Sequence, residues 1–272
     1  MAAGVYPSNK KDGTKYYRAS LTHKGKHISL GGFPTGEQAE LAYREACMIL
    51  RTPEKEEPLG ILDHNRETHA LPFDKWVALV NYRDNGIWCR GPIYLRKGYF
   101  EYYLDTHEVI RFGADDLFYY THHSIQKRGG HLFVADYGMQ VSILSRYGIR
   151  PYAVPGRDYE FKNGDPLDLR PGNLTVINRY NGVRAERRGA KESFTTRINL
   201  PSGSTIVVGH YDTENEAAIA YNKAVNILRE RGCVRNWEIN YLEDVSAAEY
   251  RIIYARVKVR KTLHTVEIHG NA

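Results

Sequence analysis

The strongest constraint on this chain is that one pattern of roughly fifty residues occurs in it twice. Near the start it reads GVYPSNKKDGTKYYRASLTHKGKHISLGGFPTGEQAELAYREACMIL, and far downstream GVRAERRGAKESFTTRINLPSGSTIVVGHYDTENEAAIAYNKAVNIL. A span of 29 positions separates Gly4 from Phe33, and the same span separates Gly182 from Tyr211. Any fold proposed for one copy must therefore suit both. Alternating stretches such as KYYRASLTHKG and KHISLG predict short strands joined by glycine-containing turns. A helix follows in each copy. Thr35 with Gln38, and Thr213 with Glu216, stand at the spacing of capping boxes. Behind them Ala39, Ala42, Tyr43 and Ala46 fall at helical spacing, as do Ala217, Ala220, Tyr221 and Ala224. The alanines allow helix and sheet to approach closely, while the tyrosine fills the end of the interface. Each copy thus predicts a three-stranded antiparallel sheet with one face under a helix and the other uncovered, available to a ligand.

That uncovered face carries charge. Residues 1–30 hold Lys10, Lys11, Lys15, Arg18, Lys24 and Lys26 against Asp12 alone, a net +5. Residues 179–197 hold Arg179, Arg184, Arg187, Arg188, Lys191 and Arg197 against Glu186 and Glu192, a net +4. The whole chain is only +6, so most of its excess sits on these two strand regions. Tyr6, Tyr16, Tyr17 and Phe194 are interleaved with the cations. A charge run is ordinarily a solvated surface, but here the clustering occurs twice at equivalent places. A basic β-ribbon fits the DNA major groove, phosphate contacts positioning it and base-edge contacts specifying.

Both copies resemble the plant ethylene-response-factor, or APETALA-type, DNA-binding domain, which also occurs in phage and mobile-element proteins. The resemblance rests on the opening Gly4-Val5 and Gly182-Val183, on Tyr17-Arg18-Ala19, and on the passages LGGFPTGEQAELAY and VGHYDTENEAAIAY. Tyr17 and Phe194 stand where the family carries a strand tryptophan. Either Thr195-Thr196 or Thr196-Arg197 takes the place of its Arg-Ala pair. The resemblance implies that the strands read the major groove of double-stranded DNA while the helix backs the sheet. Carried over, the DNA contacts are Tyr6, Lys10, Tyr17, Arg18, Lys24, Lys26 and His27 in the first copy. In the second they are Arg184, Arg187, Arg188, Arg197 and Thr205.

Between the copies, TPEKEEPLG (52–60) reads as a linker, charged and with two prolines. The stretches KWVALVNYRD, PIYLRKGYFEYYLD and HEVIRF read as β-type, HLFVAD as a strand and MQVSILSRY as a helix. Asn163-Gly164 signals a tight hairpin, and Asn173-Leu174 would open a last strand or short helix. The passage DYEFKNGDPLDLRPGNLTVIN resembles the ββα-metal core of HNH endonucleases from mobile elements, matching at Asn163, Gly164, Asp165, Asp168, Arg170, Asn173 and Leu174. The family's general-base histidine falls on Phe161, however, and its first metal-binding aspartate on Glu160, with Asn178 or Asn181 near the later metal-binding asparagine. Phosphodiester hydrolysis needs a group that takes a proton from water and a metal that stabilises charge on the phosphate. Phenylalanine does neither. His122, His123 and His131 precede the passage and read as structural or phosphate-contacting groups. The middle therefore reads as a core that has lost catalysis and is kept as a DNA-contacting scaffold, with no catalytic residue, metal or cofactor expected.

The remaining exclusions come from composition. Length suggests about two domains or more if they are small. Three well-separated cysteines, Cys47, Cys89 and Cys233, give no disulfide framework and fit a reducing compartment. The start, MAAGVYPSNKKDG, lacks the apolar core of a signal peptide, and no stretch approaches a membrane span of ~18 apolar residues. At the other end, Tyr250, Ile253, Tyr254 and Val257 form one helical face beside the basic run 251–261. It reads as a phosphate-contacting or homodimer-forming element, or as a packing helix with a solvated tail.

The expected architecture is α+β. It comprises a first APETALA-type module (1–51), a linker (52–60), a β-rich segment (61–119), a degenerate HNH-like core (120–180), a second module (181–233) and a C-terminal helix with a basic tail (234–272). The expected function is sequence-preferring binding of double-stranded DNA without cutting, as a transcriptional regulator or DNA-organising protein, with no membrane partner. The resemblance implies a cytoplasmic, nucleoid-associated chain of bacterial or phage type. The alternatives are an active HNH homing-type nuclease with a rearranged metal site, or a protein-binding structural protein using the tyrosine-rich middle.

Overall fold

A computed structural model describes residues 4–51, 57–188 and 191–266. Residues 52–56 of the expected linker and 267–272 of the expected tail lie outside the described residues. The fold is α+β, with several small antiparallel sheets and five α-helices among the described residues. The chain divides into two compact units, Met1–Ile143 with Phe161–Leu174, and Leu144–Glu160 with Thr175–Ala272.

The first unit opens with strands β1 (Val5–Asn9), β2 (Lys15–His23) and β3 (Lys26–Phe33), antiparallel in the order β1-β2-β3. Strand alternation sends Val5, Ala19, Leu21, Ile28 and Leu30 to one face, where helix α1 (Gly36–Leu50) covers them. Ala39, Ala42 and Ala46 of α1 are all 0% exposed, as the alanine pattern requires. The Thr35 hydroxyl accepts the Gln38 N–H at 3.2 Å, the expected N-cap. Gly4 has φ +83°, and a Cβ there would strike the Tyr43 ring and the Ser20 carbonyl oxygen. The repeat's opening glycine is therefore needed twice over, for its dihedral and for the space its missing side chain leaves.

The apolar cluster of this module continues through Ile61, Leu71, Trp76, Val77, Leu79, Val80 and Tyr103. KWVALVNYRD lies in helix α2 (Phe73–Asn85), not in a strand. The expectation failed because a continuous apolar run has no period to separate a buried helix from a buried strand. Trp76, Val77, Leu79 and Val80 are all buried around α2, and the helix stops at Gly86 in the left-handed conformation. Strands β4 (Ile93–Arg96), β5 (Tyr99–Tyr103) and β6 (Val109–Gly113) form a meander, followed by helix α3 (Leu117–His122). A second meander contains β7 (Ile125–Arg128), β8 (His131–Asp136) and β9 (Met139–Ser142). MQVSILSRY is therefore split between strand β9 and a 3₁₀ turn, Ile143–Tyr147, where a helix was expected. Tyr137 and Gly138, at φ +46° and +80°, form the two-residue turn that pairs Asp136 with Met139 and commits the segment to a hairpin.

Strands β10 (Tyr159–Phe161) and β11 (Leu174–Val176) form a two-stranded sheet. Asn163-Gly164 does make a turn, the Gly164 N–H donating to the Phe161 carbonyl, but the strands on either side are separated by residues 162–173.

The second unit repeats the first module. Strands β12 (Val183–Arg188), β13 (Lys191–Asn199) and β14 (Thr205–Tyr211) lie in the order β12-β13-β14 under helix α4 (Glu214–Glu230). Thr213 caps α4 as Thr35 caps α1, and a Cβ on Gly182 would strike the Tyr221 ring and the Arg197 carbonyl. Pairing slips by one residue at the same place in both sheets, between Ala19 and Ser20 and between Thr196 and Arg197. This aligns Thr195-Thr196 with Arg18-Ala19, so Arg197 stands where the first copy has Ser20. Helix α5 (Ala247–Arg256) follows, its Tyr250, Ile253 and Tyr254 packed against the α4 core and Val257 buried beside them. The face expected to form a dimer is thus spent within the chain, and the packing reading of this helix is the one the fold bears out.

Gly182→Ala and Gly203→Ala separate the two costs of a positive φ. Gly203, at φ +84°, has open space around its missing Cβ, whereas Gly182 does not. Both substitutions should destabilise, Gly182→Ala by about 1–3 kcal/mol more because of overpacking. Urea unfolding of the two variants would measure the difference.

Candidate nucleic-acid interface

The first sheet turns Tyr6, Arg18 and His27 to its uncovered face. Tyr6 lies opposite Arg18 and is 58% exposed, and His27 lies opposite Thr22. Lys10 sits in the β1–β2 turn, accepting the Gly13 N–H through its carbonyl. Lys24 sits in the two-residue β2–β3 turn at φ +45°, and Lys26 opens β3 opposite His23. The lysines therefore rim both ends of the face. Among the described residues none of Lys10, Lys24, Lys26 or Arg18 pairs with a carboxylate. Tyr17 is a correction: it stands on the opposite parity, packed against the apolar core and over Gly36, where it cannot meet a ligand on the uncovered face.

On the second sheet Arg184 lies opposite Thr195, Arg197 opposite Val207 and Thr205 opposite Asn199, all on the uncovered face. The Thr205 hydroxyl donates to Asn199 Oδ1 at 2.7 Å, and the Thr195 hydroxyl sits 2.8 Å from His210 Nδ1. Arg187 departs from this set. It has the opposite parity to Arg184 and pairs with Glu192 at 3.9 Å. Arg188 ends β12 opposite Lys191, and its side chain lies outside the described residues.

Within the second unit the structure adds arginines that the repeat does not contain. Arg150, Arg157 and Arg235 join Arg184 and Arg197 around a groove of about 610 Å³. Asp158 is nearly fully buried between two of them, 3.2 Å from Arg150 and 2.8 Å from Arg157. Burial pushes the Asp158 carboxyl up. The Arg157 hydrogen bond, the Val154 N–H and the Arg150 and Arg157 charges outweigh it and hold the group below the usual carboxylate range. Arg235 donates to the Leu200 carbonyl at 2.8 Å, while Arg184 and Arg197 have no carboxylate partner among the described residues. The sequence signal for this groove was faint, because 150–157 and 235 belong to loops with no period of their own.

The HNH-like passage proves to be a knot of internal bonds. Asp168 accepts from Asn163 Nδ2 at 2.9 Å and from Arg170 at 2.7 and 2.8 Å, and its carbonyl accepts from Asn173 Nδ2. Asn173 Oδ1 accepts the Asn163 N–H, and Asp165 pairs with Arg111 at 2.9 Å. Residues 167–169 exchange backbone hydrogen bonds with Arg111 of β6, and Arg170 lies over the Tyr99 ring. The matched polar side chains, Asn163, Asp165, Asp168, Arg170 and Asn173, are all occupied in these bonds.

No helix follows β11 before β12 among the described residues, so the ββα arrangement is not completed there. Asn178 bridges the Arg157 carbonyl and Asp158 and accepts the Ala185 N–H, while the Asn181 N–H donates to Asn240. Glu160 is exposed on β10 and Phe161 half-buried beside it. His122 Nδ1 is 2.8 Å from the Phe118 carbonyl, His123 stacks on Tyr119, and His131 is exposed on β8. Among the described residues no group of three or more His, Cys, Asp or Glu side chains is placed to hold a metal ion, and no described helix is long and apolar enough to cross a membrane.

The Arg170 hydrogen bond holds the Asp168 carboxyl below the usual carboxylate range, against the effect of burial. Its stabilising contribution is present above the unfolded carboxylate pKa of about 3.9 and is lost as pH falls through the lower folded value. Asp168→Asn should flatten the acid limb of a stability–pH curve and cost about 1–2 kcal/mol at neutral pH, less than for a fully buried pair because Arg170 is 43% exposed. Denaturant midpoints across the acid range, compared with the parent chain, would check both effects.

No protein-family model matches this chain, and no curated protein matches it.

Proposed function

We propose that this chain binds double-stranded DNA, with sequence preference and without cutting it, as a transcriptional regulator or DNA-organising protein. The observation that carries the reading is the first sheet's uncovered face: Arg18, Tyr6 and His27 across it, Lys10, Lys24 and Lys26 around it, and, among the described residues, no carboxylate in an ion pair with Arg18 or these lysines. A solvated protein surface ordinarily intersperses both signs of charge, whereas here Asp12 in the β1–β2 turn is the one acid of residues 1–30 against six cations, with hydrogen-bonding side chains between. The rim lysines suit phosphates and the central Arg18 suits a base edge, since guanidinium is the common bidentate partner of guanine. The equivalent place on the second sheet carries Thr195, so the two faces read different sequences. Tethering two such modules in one chain raises the affinity for a bipartite site. The occupied side chains of the 161–174 loop favour a structural role there over catalysis.

Arg18→Ala should cost about 1–3 kcal/mol in binding to a selected duplex and relax its base preference. Lys24→Ala should weaken all duplexes alike and lower the slope of log affinity against log salt by about one. Fluorescence anisotropy at several salt concentrations, with magnesium present and the DNA recovered to check its length, measures all of these. Duplex affinity unchanged in the Arg18→Ala, Lys24→Ala double variant would refute the docking face, and metal-dependent shortening of the DNA would refute the non-cutting reading.

A further inference from the structure

The arginine groove of the second unit adjoins the second sheet's uncovered face, from which it takes Arg184, Arg197 and Thr205, and adds loop residues that the sheet does not contain. It is a recess with walls, formed by residues 150–158, the start of the second repeat, Arg197, Asn199 and Thr205, and residues 235–238. Its volume of about 610 Å³ falls within the roughly 300–1,000 Å³ of small-ligand sites. Five arginines face Asp158 and Glu238, an excess of three positive charges. Asp158 engages Arg150 and Arg157, leaving Arg184 and Arg197 as the cations free to meet an anion.

At the same groove stands Tyr152, 92% exposed and held at φ +62°. A bulky side chain in the left-handed region costs on the order of 1–3 kcal/mol, and such residues concentrate where a ligand is met. An aromatic ring left in solvent beside free guanidinium groups is the combination that binds unpaired nucleic acid, with phosphates on the cations and a base on the ring.

We propose that this groove binds an unpaired segment of nucleic acid, its phosphates on Arg184 and Arg197 and a base stacked on Tyr152. The assignment goes beyond duplex binding and rests on that reading only for the general nature of the ligand. A protein with both sites would hold a duplex on the first sheet and a frayed or displaced strand in the second unit.

The test uses the full chain, a labelled oligothymidylate of about twelve nucleotides and a labelled duplex. Tyr152→Ala should weaken oligothymidylate binding roughly tenfold, the worth of one base–aromatic stack, and leave duplex binding unchanged. Tyr152→Phe should retain the affinity, because stacking needs the ring and not the hydroxyl. The exposure of Tyr152 keeps folding out of the comparison, and thermal melts of each variant confirm it. Arg184→Ala with Arg197→Ala should lower both the oligothymidylate affinity and its salt dependence.

Duplex binding without oligothymidylate binding, or equal oligothymidylate binding by Tyr152→Ala, would overturn the groove assignment and leave the duplex reading standing. Tyr152-dependent oligothymidylate binding with no duplex binding would do the reverse. Thymidine monophosphate competing mole for mole as well as the oligomer would replace the strand with a free nucleotide, and displacement by a phosphotyrosine peptide would replace it with a protein partner.

Discussion

The two basic sheet faces depend on how closely an alanine-lined helix approaches a three-stranded sheet. Ala39, Ala42 and Ala46 in one module, and Ala217, Ala220 and Ala224 in the other, let the helix backbone come close enough for Tyr43 and Tyr221 to press on Gly4 and Gly182. With one sheet face sealed in this way, the apolar residues of all three strands enter a core that the repeat's helix begins and later elements complete. What remains on the other face is polar by default of the strand period, and there the cations collect. Interior packing and exterior charge are two results of one alternation.

Each helix is then anchored from outside by a residue at the same place in the repeat but of opposite charge. Buried Glu45 of α1 accepts the N–H groups of Ala70 and Leu71, just before α2 begins. Lys223 of α4 donates to the carbonyls of Tyr254 and Val257, where α5 ends. A carboxylate answers unpaired N–H donors at one helix entry, and an ammonium answers unpaired carbonyls at the other helix exit. The second unit adds a neutral clasp: Asn222 and Asn240 bond each other through side chain and backbone, and Asn240 reaches Asn181. The helices outside the repeats are thus parts of the cores they cover.

The 161–174 loop shows how one set of residues can satisfy a sequence pattern and a structural need at once. Asn163, Asp168, Arg170 and Asn173 bond one another and the neighbouring backbone. Leu169, 1% exposed, donates its N–H to the Arg111 carbonyl of β6. A buried carboxylate demands this many partners, since an unpaired charge in that position is among the costliest features a fold can contain. The matched residues have enough work in holding the loop to account for their presence.

What was legible in the sequence was local and periodic. The two copies, their strands, the capping threonines, the alanine faces and the apolar stripe of α5 all follow from repetition at 2 or 3.6 residues, and the face bearing Arg18, His27, Arg184 and Arg197 follows from the same count. Only tertiary structure decided the rest. KWVALVNYRD is surrounded by apolar neighbours on every side, so burial and not period makes it a helix. The face of α5 bearing Tyr250, Ile253 and Tyr254 packs against the α4 core. The bulge opposite Ala19 and Ser20 changes the parity of β3, so that Ile28 and Leu30 before it and Phe33 beyond it all reach the core. Arg150, Arg157 and Arg235 meet Arg184 and Arg197 across intervals of up to eighty-five residues. Such a convergence of charge has no trace in any window of sequence, because it is created by the path of loops whose course is set by what they pack against.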